Sequence, residues 1–277
     1  MRCSLFIVLL SLNICAQPEL HKVISYNIRY DGHSDLAPDW SERKTPILAQ
    51  LQNERPTIIG FQEVLANQLK DLQQELPAFK HVGVGRDDGK EAGEFTPIFY
   101  DTTRYKLLQS GTFWLSPTPE VPSIGWDAAL NRICTFALFE SLYDGKKLWV
   151  LNTHFDHIGA EARVNSEILI SEKFAELTQI STAPFLLLGD LNSEPDSPVY
   201  KLLTASLHDL SCSKRHRELC STPTFNAFTI SETDDKIIDY FFGSAEIIPM
   251  NYKVLQTPYD RSYPSDHFPL VLTFISL

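Results

Sequence analysis

Phe185-Leu186-Leu187-Leu188-Gly189-Asp190-Leu191-Asn192 is a run of four large apolar residues that stops abruptly at a glycine, a carboxylate and an amide. The apolar part does not alternate, so it belongs to a strand covered on both faces, inside a layered protein. The polar part falls where the strand gives way to a loop, the usual place for chemistry. Asp190 and Asn192 are two residues apart, so on extended backbone both side chains point the same way.

Strand-like runs recur on either side, at 22–29, 57–62, 96–100, 111–115, 133–142, 148–155, 237–242, 252–255 and 270–275, with the quoted one at 185–190. Helical patterns fall between them. Thr45-Pro46 reads as an N-cap with proline at the first helical position, opening a helix to about Asn53. Two more are predicted at 67–76 and 160–180, the second with Ile170, Phe174 and Leu177 on one face. A shorter one starts near Ser197-Pro198. Many strands with few helices predict α/β layers with a large sheet component. No repeat, low-complexity tract or linker interrupts residues 17–277, which read as one domain.

The first residues stand apart. Met1-Arg2 is a short positive start, 5–12 is almost unbroken apolar sequence, and Ile14-Cys15-Ala16 ends on a small residue. The run is too short for a membrane span, which needs ~20 apolar residues. Residues 1–16 are expected to be a signal peptide cleaved after Ala16, leaving a secreted or periplasmic protein. Bulky Ile14 argues against a lipid anchor on Cys15.

The chain of 277 residues is 43% hydrophobic, 21% charged and carries a formal charge of −11; loss of Arg2 makes it more acidic still. Such a surface repels polyanions and lacks the footprint of a general nucleic-acid binder. It does not exclude a nuclease, because a bound divalent cation supplies local positive charge. Cys212 and Cys220 share a polar loop and are close enough to close a ring if the protein is exported. Cys134 lies in an apolar run and reads as a buried thiol. Three such cysteines do not make a zinc site.

Six segments carry polar side chains at the ends of apolar strands: Ser25-Tyr26-Asn27, Gly60-Phe61-Gln62-Glu63, Asn152-Thr153-His154-Phe155-Asp156-His157, Gly189-Asp190-Leu191-Asn192, Ile238-Asp239-Tyr240 and Ser265-Asp266-His267. Singly, each has a plain structural reading: Glu63 as a solvated strand end, Asn27, Asp190 and Asn192 as turn residues, His267 as a core histidine. Asp239, inside Lys236-Ile237-Ile238-Asp239-Tyr240-Phe241, is harder to explain so, since a carboxylate in an apolar strand is costly without a partner. Together they fit phosphate-ester hydrolysis. That reaction needs a hard cation on the phosphoryl oxygens, an activated water and donors for the developing charge. Mg²⁺ prefers oxygen ligands, commonly one or two carboxylates, a role that suits Glu63 and Asp266. His267 needs a carboxylate beside it, and Asp239 is the candidate.

The ordered set Asn27, Glu63, His154, Asp190-x-Asn192, Asp239 and Asp266-His267 resembles the signature of the endonuclease/exonuclease/phosphatase superfamily, over essentially all of residues 23–277. Each motif is weak alone; the order makes the set specific. The resemblance implies a DNase I-like α/β fold, a four-layer αββα sandwich of two packed mixed sheets flanked by helices, with the site at one edge. It implies Mg²⁺ or Mn²⁺ as cofactor, with Glu63 the principal metal ligand and Asn27 and Asp266 near the metal. By the same resemblance, Asn192 contacts the phosphate, His154 stabilises the transition state and His267 pairs with Asp239. Either Asp190 or His267 takes the proton from water.

The segments 39–43, 125–132 and 157–163 resemble a bacterial, often exported subgroup. There Arg132, Trp126 and His157 are candidate substrate-binding residues; Arg132 can meet phosphate bidentately or form a structural ion pair, and Trp126 and Trp40 can wall a substrate or anchor loops. The expected function is a secreted metal-dependent phosphoesterase, with a small-molecule or oligonucleotide phosphodiester ranked first. Competing substrates are DNA or RNA, a sphingomyelin-like lipid, or a phosphorylated sugar or polyol; a monomer is expected. The rival from another class is a binding homologue without turnover, which the intact set of side chains disfavours.

Overall fold

The computed structural model describes residues 19–32, 38–212, 220–229, 236–259 and 262–277; the expected signal peptide lies outside them. β1 (His21–Asn27) and β2 (Ile58–Gln62) run parallel, connected through α1 (Trp40–Glu54). α2 (Ala66–Glu75) leads to β3 (Phe79–Val82) and β4 (Ile98–Asp101), paired antiparallel. β5 (Tyr105–Trp114), β6 (Ile133–Ser141) and β7 (Lys147–His154) form an antiparallel meander. α3 (Ala160–Ile180) then carries the chain to β8 (Phe185–Asp190), parallel to β7. α4 (Pro198–Ser206), β9 (His208–Asp209), β10 (Asp239–Gly243), β11 (Ile247–Val254) and β12 (Leu270–Ser276) follow.

Two six-stranded sheets result, in the orders β11-β12-β1-β2-β4-β3 and β5-β6-β7-β8-β10-β9. Each centres on one parallel pair with antiparallel neighbours on both sides. The alternation within β8 shows how the layers join. Leu186 and Leu188 enter the core between the sheets, with Val23, Ile58 and Phe139. Phe185 and Leu187 point the other way, against Ile170 and Leu177 of α3 and Val199 and Leu203 of α4. On the outer face of the first sheet, Ile24, Phe61 and Phe99 pack against Ile47 and Leu51 of α1 and Leu72 of α2. Each fully buried Leu or Phe stabilises the fold by roughly 1.5–3 kcal/mol. This is the four-layer αββα sandwich expected from the sequence, and it explains why 185–188 is apolar throughout.

Some elements differ from the reading of the sequence. α1 begins at Trp40, not at Thr45-Pro46. Trp40, Arg43, Ile47 and Leu51 share a buried face, and that burial extends the helix upstream. Pro46 therefore lies inside the helix, where it lacks a backbone donor and its ring crowds the Glu42 carbonyl, a cost that the burial of this face offsets. β3 was not anticipated because only Phe79 and Val82 are apolar, and it is a half-buried edge strand. β9 has two residues, too few for periodicity to register. Ser197 does cap α4, its hydroxyl accepting from the Tyr200 N–H at 3.2 Å with Pro198 next in the chain. Cys212 and Cys220 are joined by a disulfide, and Cys134 is a buried free thiol. Among the described residues, no helix is long and apolar enough to cross a membrane.

Candidate active site

Parallel strands end at the same edge of a sheet, and ligand sites of α/β proteins lie beyond those carboxyl ends. β1 ends on Asn27 and β2 runs into Glu63; β7 ends on His154 and β8 on Asp190. The antiparallel neighbours deliver the rest from their starting ends. Asp239 opens β10 directly opposite Asp190. His267 lies just ahead of β12, whose Leu270 pairs with Ser25 of β1. The four strand ends and two strand starts therefore meet at one edge of the sandwich.

Asn27 links the two sheets there. Its Nδ2 donates to Glu63 Oε1 at 3.1 Å and to Asp190 Oδ2 at 3.0 Å. Its oxygen accepts the Arg29 N–H at 3.1 Å. Because a backbone donor must meet oxygen, the amide orientation follows, and it is nitrogen that faces the carboxylates. Asn27 is thus placed to orient those carboxylates rather than to offer them an oxygen ligand for a shared cation. Below it, Asn152 fastens the sheets together. Its Nδ2 donates to the carbonyls of Phe61 and Pro97 at 2.7 and 2.9 Å, and its oxygen accepts from Gln62 Nε2 at 2.7 Å.

Gly189 allows β7 and β8 to close up at this edge. Its φ is +141°, and a Cβ there would lie 2.0 Å from the Thr153 carbonyl oxygen. Glu63 and Asn192 have left-handed backbone at φ 59° and 45°, a conformation that costs non-glycine residues of order 1–3 kcal/mol and clusters at functional sites.

The His267 Nδ1–H donates to Asp239 Oδ2 at 2.9 Å, and Nε2 faces Asp190 Oδ2 at 3.6 Å. Burial works against charge on this ring, but Asp239 and Asp190 hold its pKa well above the ordinary histidine value. Burial and the Asp239 charge push the Asp190 carboxyl up to about 7. Burial opposes ionisation of Glu63 too, yet Arg29, His267 and the Asn27 donor keep its pKa low. His154 is held well below its ordinary value, by burial first and then by Arg132 and Arg86. Asn192 Nδ2 donates to the Phe155 carbonyl at 3.0 Å and faces His154 Nε2 at 3.1 Å. Its second hydrogen therefore meets Nε2 as acceptor, leaving the proton of neutral His154 on Nδ1.

These groups open into one cavity of about 830 Å³, lined by Glu63, His154, Asp190, Asn192, Asp266 and His267 among others. Arg132 and His157 also line it. Arg132 pairs with buried Asp156 through Nε at 3.3 Å and donates to His157 Nδ1 at 3.0 Å. Its NH1 is buried without a protein partner. Trp126 does not join them. It sits half-buried in the loop before β6 and is not among the cavity-lining residues. Its neighbour Asp127 accepts the N–H groups of Glu161 and Ala162, so this loop serves to cap α3. Trp40 is likewise an anchor, donating to Asp71 at 2.9 Å.

Two further residues were not legible. Glu94 pairs with Arg86 at 2.7 Å and lies 3.9 Å from His154 Nδ1; in a Gly- and Asp-rich stretch it reads as a solvated charge. Thr224 donates to Asp239 Oδ2 at 2.7 Å and accepts the Ile238 and Asp239 N–H groups, and nothing in its surrounding sequence marks it.

Two groupings can hold a cation. Ligand atoms of Asp190, Asp239 and His267 lie within 4.8 Å of one another. In that set the His267 and Asp239 atoms are already joined by their hydrogen bond, and Asp239 Oδ2 also accepts from Thr224. Glu63 and Asp266 form an all-oxygen pair on the cavity wall, the donor chemistry a hard cation prefers.

The sequence matches the Endonuclease/Exonuclease/phosphatase family over residues 24–267. Among solved structures, an endonuclease/exonuclease/phosphatase family protein of Bacteroides thetaiotaomicron is similar, with 35% identity and a TM-score of 0.88 over 94% of this chain and 99% of that one. A mannosyl-6-phosphatase from the same organism has 36% identity and a TM-score of 0.86, covering 92% of this chain and 99% of that one. A probable RNA exonuclease of Saccharomyces cerevisiae is 27% identical over 66% of this chain and 39% of its own length. With fold, site and sequence in agreement, the chain belongs to the endonuclease/exonuclease/phosphatase family of phosphoester hydrolases.

Proposed function

We propose that this protein is an exported, Mg²⁺- or Mn²⁺-dependent phosphoesterase acting on a small phosphorylated molecule, foremost a sugar phosphate. The observation that carries this reading is the convergence of Glu63, Asp266, Asp190, His267, His154 and Asn192 on one cavity of small-molecule size. Likeness to a mannosyl-6-phosphatase along nearly the whole chain supports the substrate class, as does a formal charge of −11, which disfavours long polyanions.

Glu63 and Asp266 would hold the cation, with Asn27 orienting Glu63. The cation supplies charge neutralisation on the phosphoryl oxygens and a more acidic water. The Asp190 carboxyl, pushed up to about 7, faces charged His267, so the Asp190 carboxylate would accept the proton of the attacking water while the His267 Nε2–H donates to phosphate. Asp239 and Thr224 hold the His267 ring in place. Asn192 and His154 lie together on the opposite wall, joined by their own hydrogen bond, and the Asn192 amide would meet the developing charge by turning from that bond to the phosphate. Arg132, held by Asp156, adds fixed positive charge to the cavity wall.

The test is kcat/KM with Mg²⁺ for a hexose 6-phosphate, bis-p-nitrophenyl phosphate and an oligoribonucleotide. The hexose phosphate is expected to be preferred by at least ~10-fold, about 1.4 kcal/mol of transition-state binding. A preference for the oligoribonucleotide would replace this reading with a nuclease.

A further inference from the structure

Arg29 enters the site from a strained turn. Its φ is 57°, and the turn is pinned on both sides: its N–H donates to Asn27 Oδ1, while its carbonyl accepts from Gln68 Nε2 at 2.9 Å and Arg43 NH2 at 3.0 Å. Arg43 is buried and also donates to the carbonyls of Ile28 and Pro264, tying this turn to the segment that carries Asp266. The backbone is thus fixed so that one side chain is aimed at the carboxylates.

That side chain spans them. Arg29 NH1 lies 3.4 Å from Glu63 Oε2, and Nε lies 3.9 Å from Asp266 Oδ2. The guanidinium rests over the Tyr30 ring, 4.2 Å from its centroid. Glu63 and Asp266 repel one another, and Arg29 offsets that repulsion on both. Yet the side chain is 29% exposed and lines the cavity, so it has room to withdraw.

We propose that Arg29 is an internal cation that holds Glu63 and Asp266 together in the metal-free protein and competes with the divalent metal for them. It is a positioning residue: it sets metal affinity below what the bare carboxylates would give, and keeps the empty site from springing apart. The proposal rests on the assignment of Glu63 and Asp266 as the metal pair.

Calorimetric titration of Mn²⁺ into the metal-stripped full chain tests it. Arg29→Met is expected to bind Mn²⁺ about tenfold more tightly, since a positive charge near the ion has gone, and Arg29→Lys to stay within about twofold of wild type. In EDTA, Arg29→Met should melt roughly 2–4 °C below wild type, and saturating Mn²⁺ should close the gap. A loss of packing alone would weaken binding, so tightening is specific to competition. Unchanged or weaker Mn²⁺ binding by a folded Arg29→Met protein overturns the proposal. Should that variant not fold, crystals of the wild type with Mn²⁺ decide. A guanidinium withdrawn from Glu63 supports competition, and one still in contact with both carboxylates overturns it. If wild type binds no Mn²⁺ at all, the metal assignment itself fails, an outcome distinct from wild type and Arg29→Met binding alike.

Discussion

At the scale of the residue, Asp239 matters through what it does to His267. Their 2.9 Å hydrogen bond, together with the Asp239 and Asp190 carboxylates, raises the pKa of the ring well above the ordinary histidine value. In Asp239→Asn the nearest negative charge is gone while burial remains, so the neutral ring is favoured at lower pH than in wild type. Nitrogen NMR of the metal-free protein should show the His267 titration moving down by about one to three units; an unmoved titration would mean that Asp239 does not govern the ring. Glu63→Gln and Asp190→Asn keep shape and lose charge. Each is expected to lower kcat by ~10²–10⁴, the usual cost of removing a proton-transfer or charge-stabilising group. Wild-type turnover in either variant would remove that residue from the proposed chemistry.

At the scale of the element, the close approach of β7 and β8 rests on Gly189. An alanine would place its Cβ 2.0 Å from the Thr153 carbonyl at φ +141°. Gly189→Ala should lose about 3 kcal/mol of stability in urea unfolding from overpacking and backbone strain; an unchanged midpoint would show that the strands can part freely. The sequence was most readable where an element's own pattern agrees with its surroundings. β8 spans 185–190, the predicted stretch, two residues past its apolar run, and α3 spans the stretch its periodicity predicts. It was least readable where tertiary contacts decide. α1 extends upstream because Trp40 and Arg43 are buried by distant segments, and β3 exists because β4 offers it a partner. The candidate site divides the same way. Strand-end residues were found because an apolar run stopping at a carboxylate is a local signal. Glu94 and Thr224 act through partners remote in sequence, and Trp126 looked like a substrate wall because its loop's role in capping α3 is not a local pattern.

At the scale of the whole molecule, arginines lining the cavity, among them Arg29, Arg132 and Arg163, sit within a protein of formal charge −11. Local attraction for one phosphate and long-range repulsion of a polyanion are both expected. Raising salt from ~50 to ~500 mM should therefore leave kcat/KM for an oligonucleotide unchanged or higher, because screening relieves the repulsion. A basic nuclease would instead lose affinity steeply over such a range, and a steep loss here would reveal a nucleic-acid footprint that net charge conceals.

The most direct measurement is hydrolysis of p-nitrophenyl phosphate by the purified wild-type protein, first in EDTA and then after stepwise return of Mg²⁺ or Mn²⁺. Turnover should vanish with the chelator and come back with the ion. Undiminished turnover in EDTA would contradict a site whose clustered carboxylates work by gripping a hard cation.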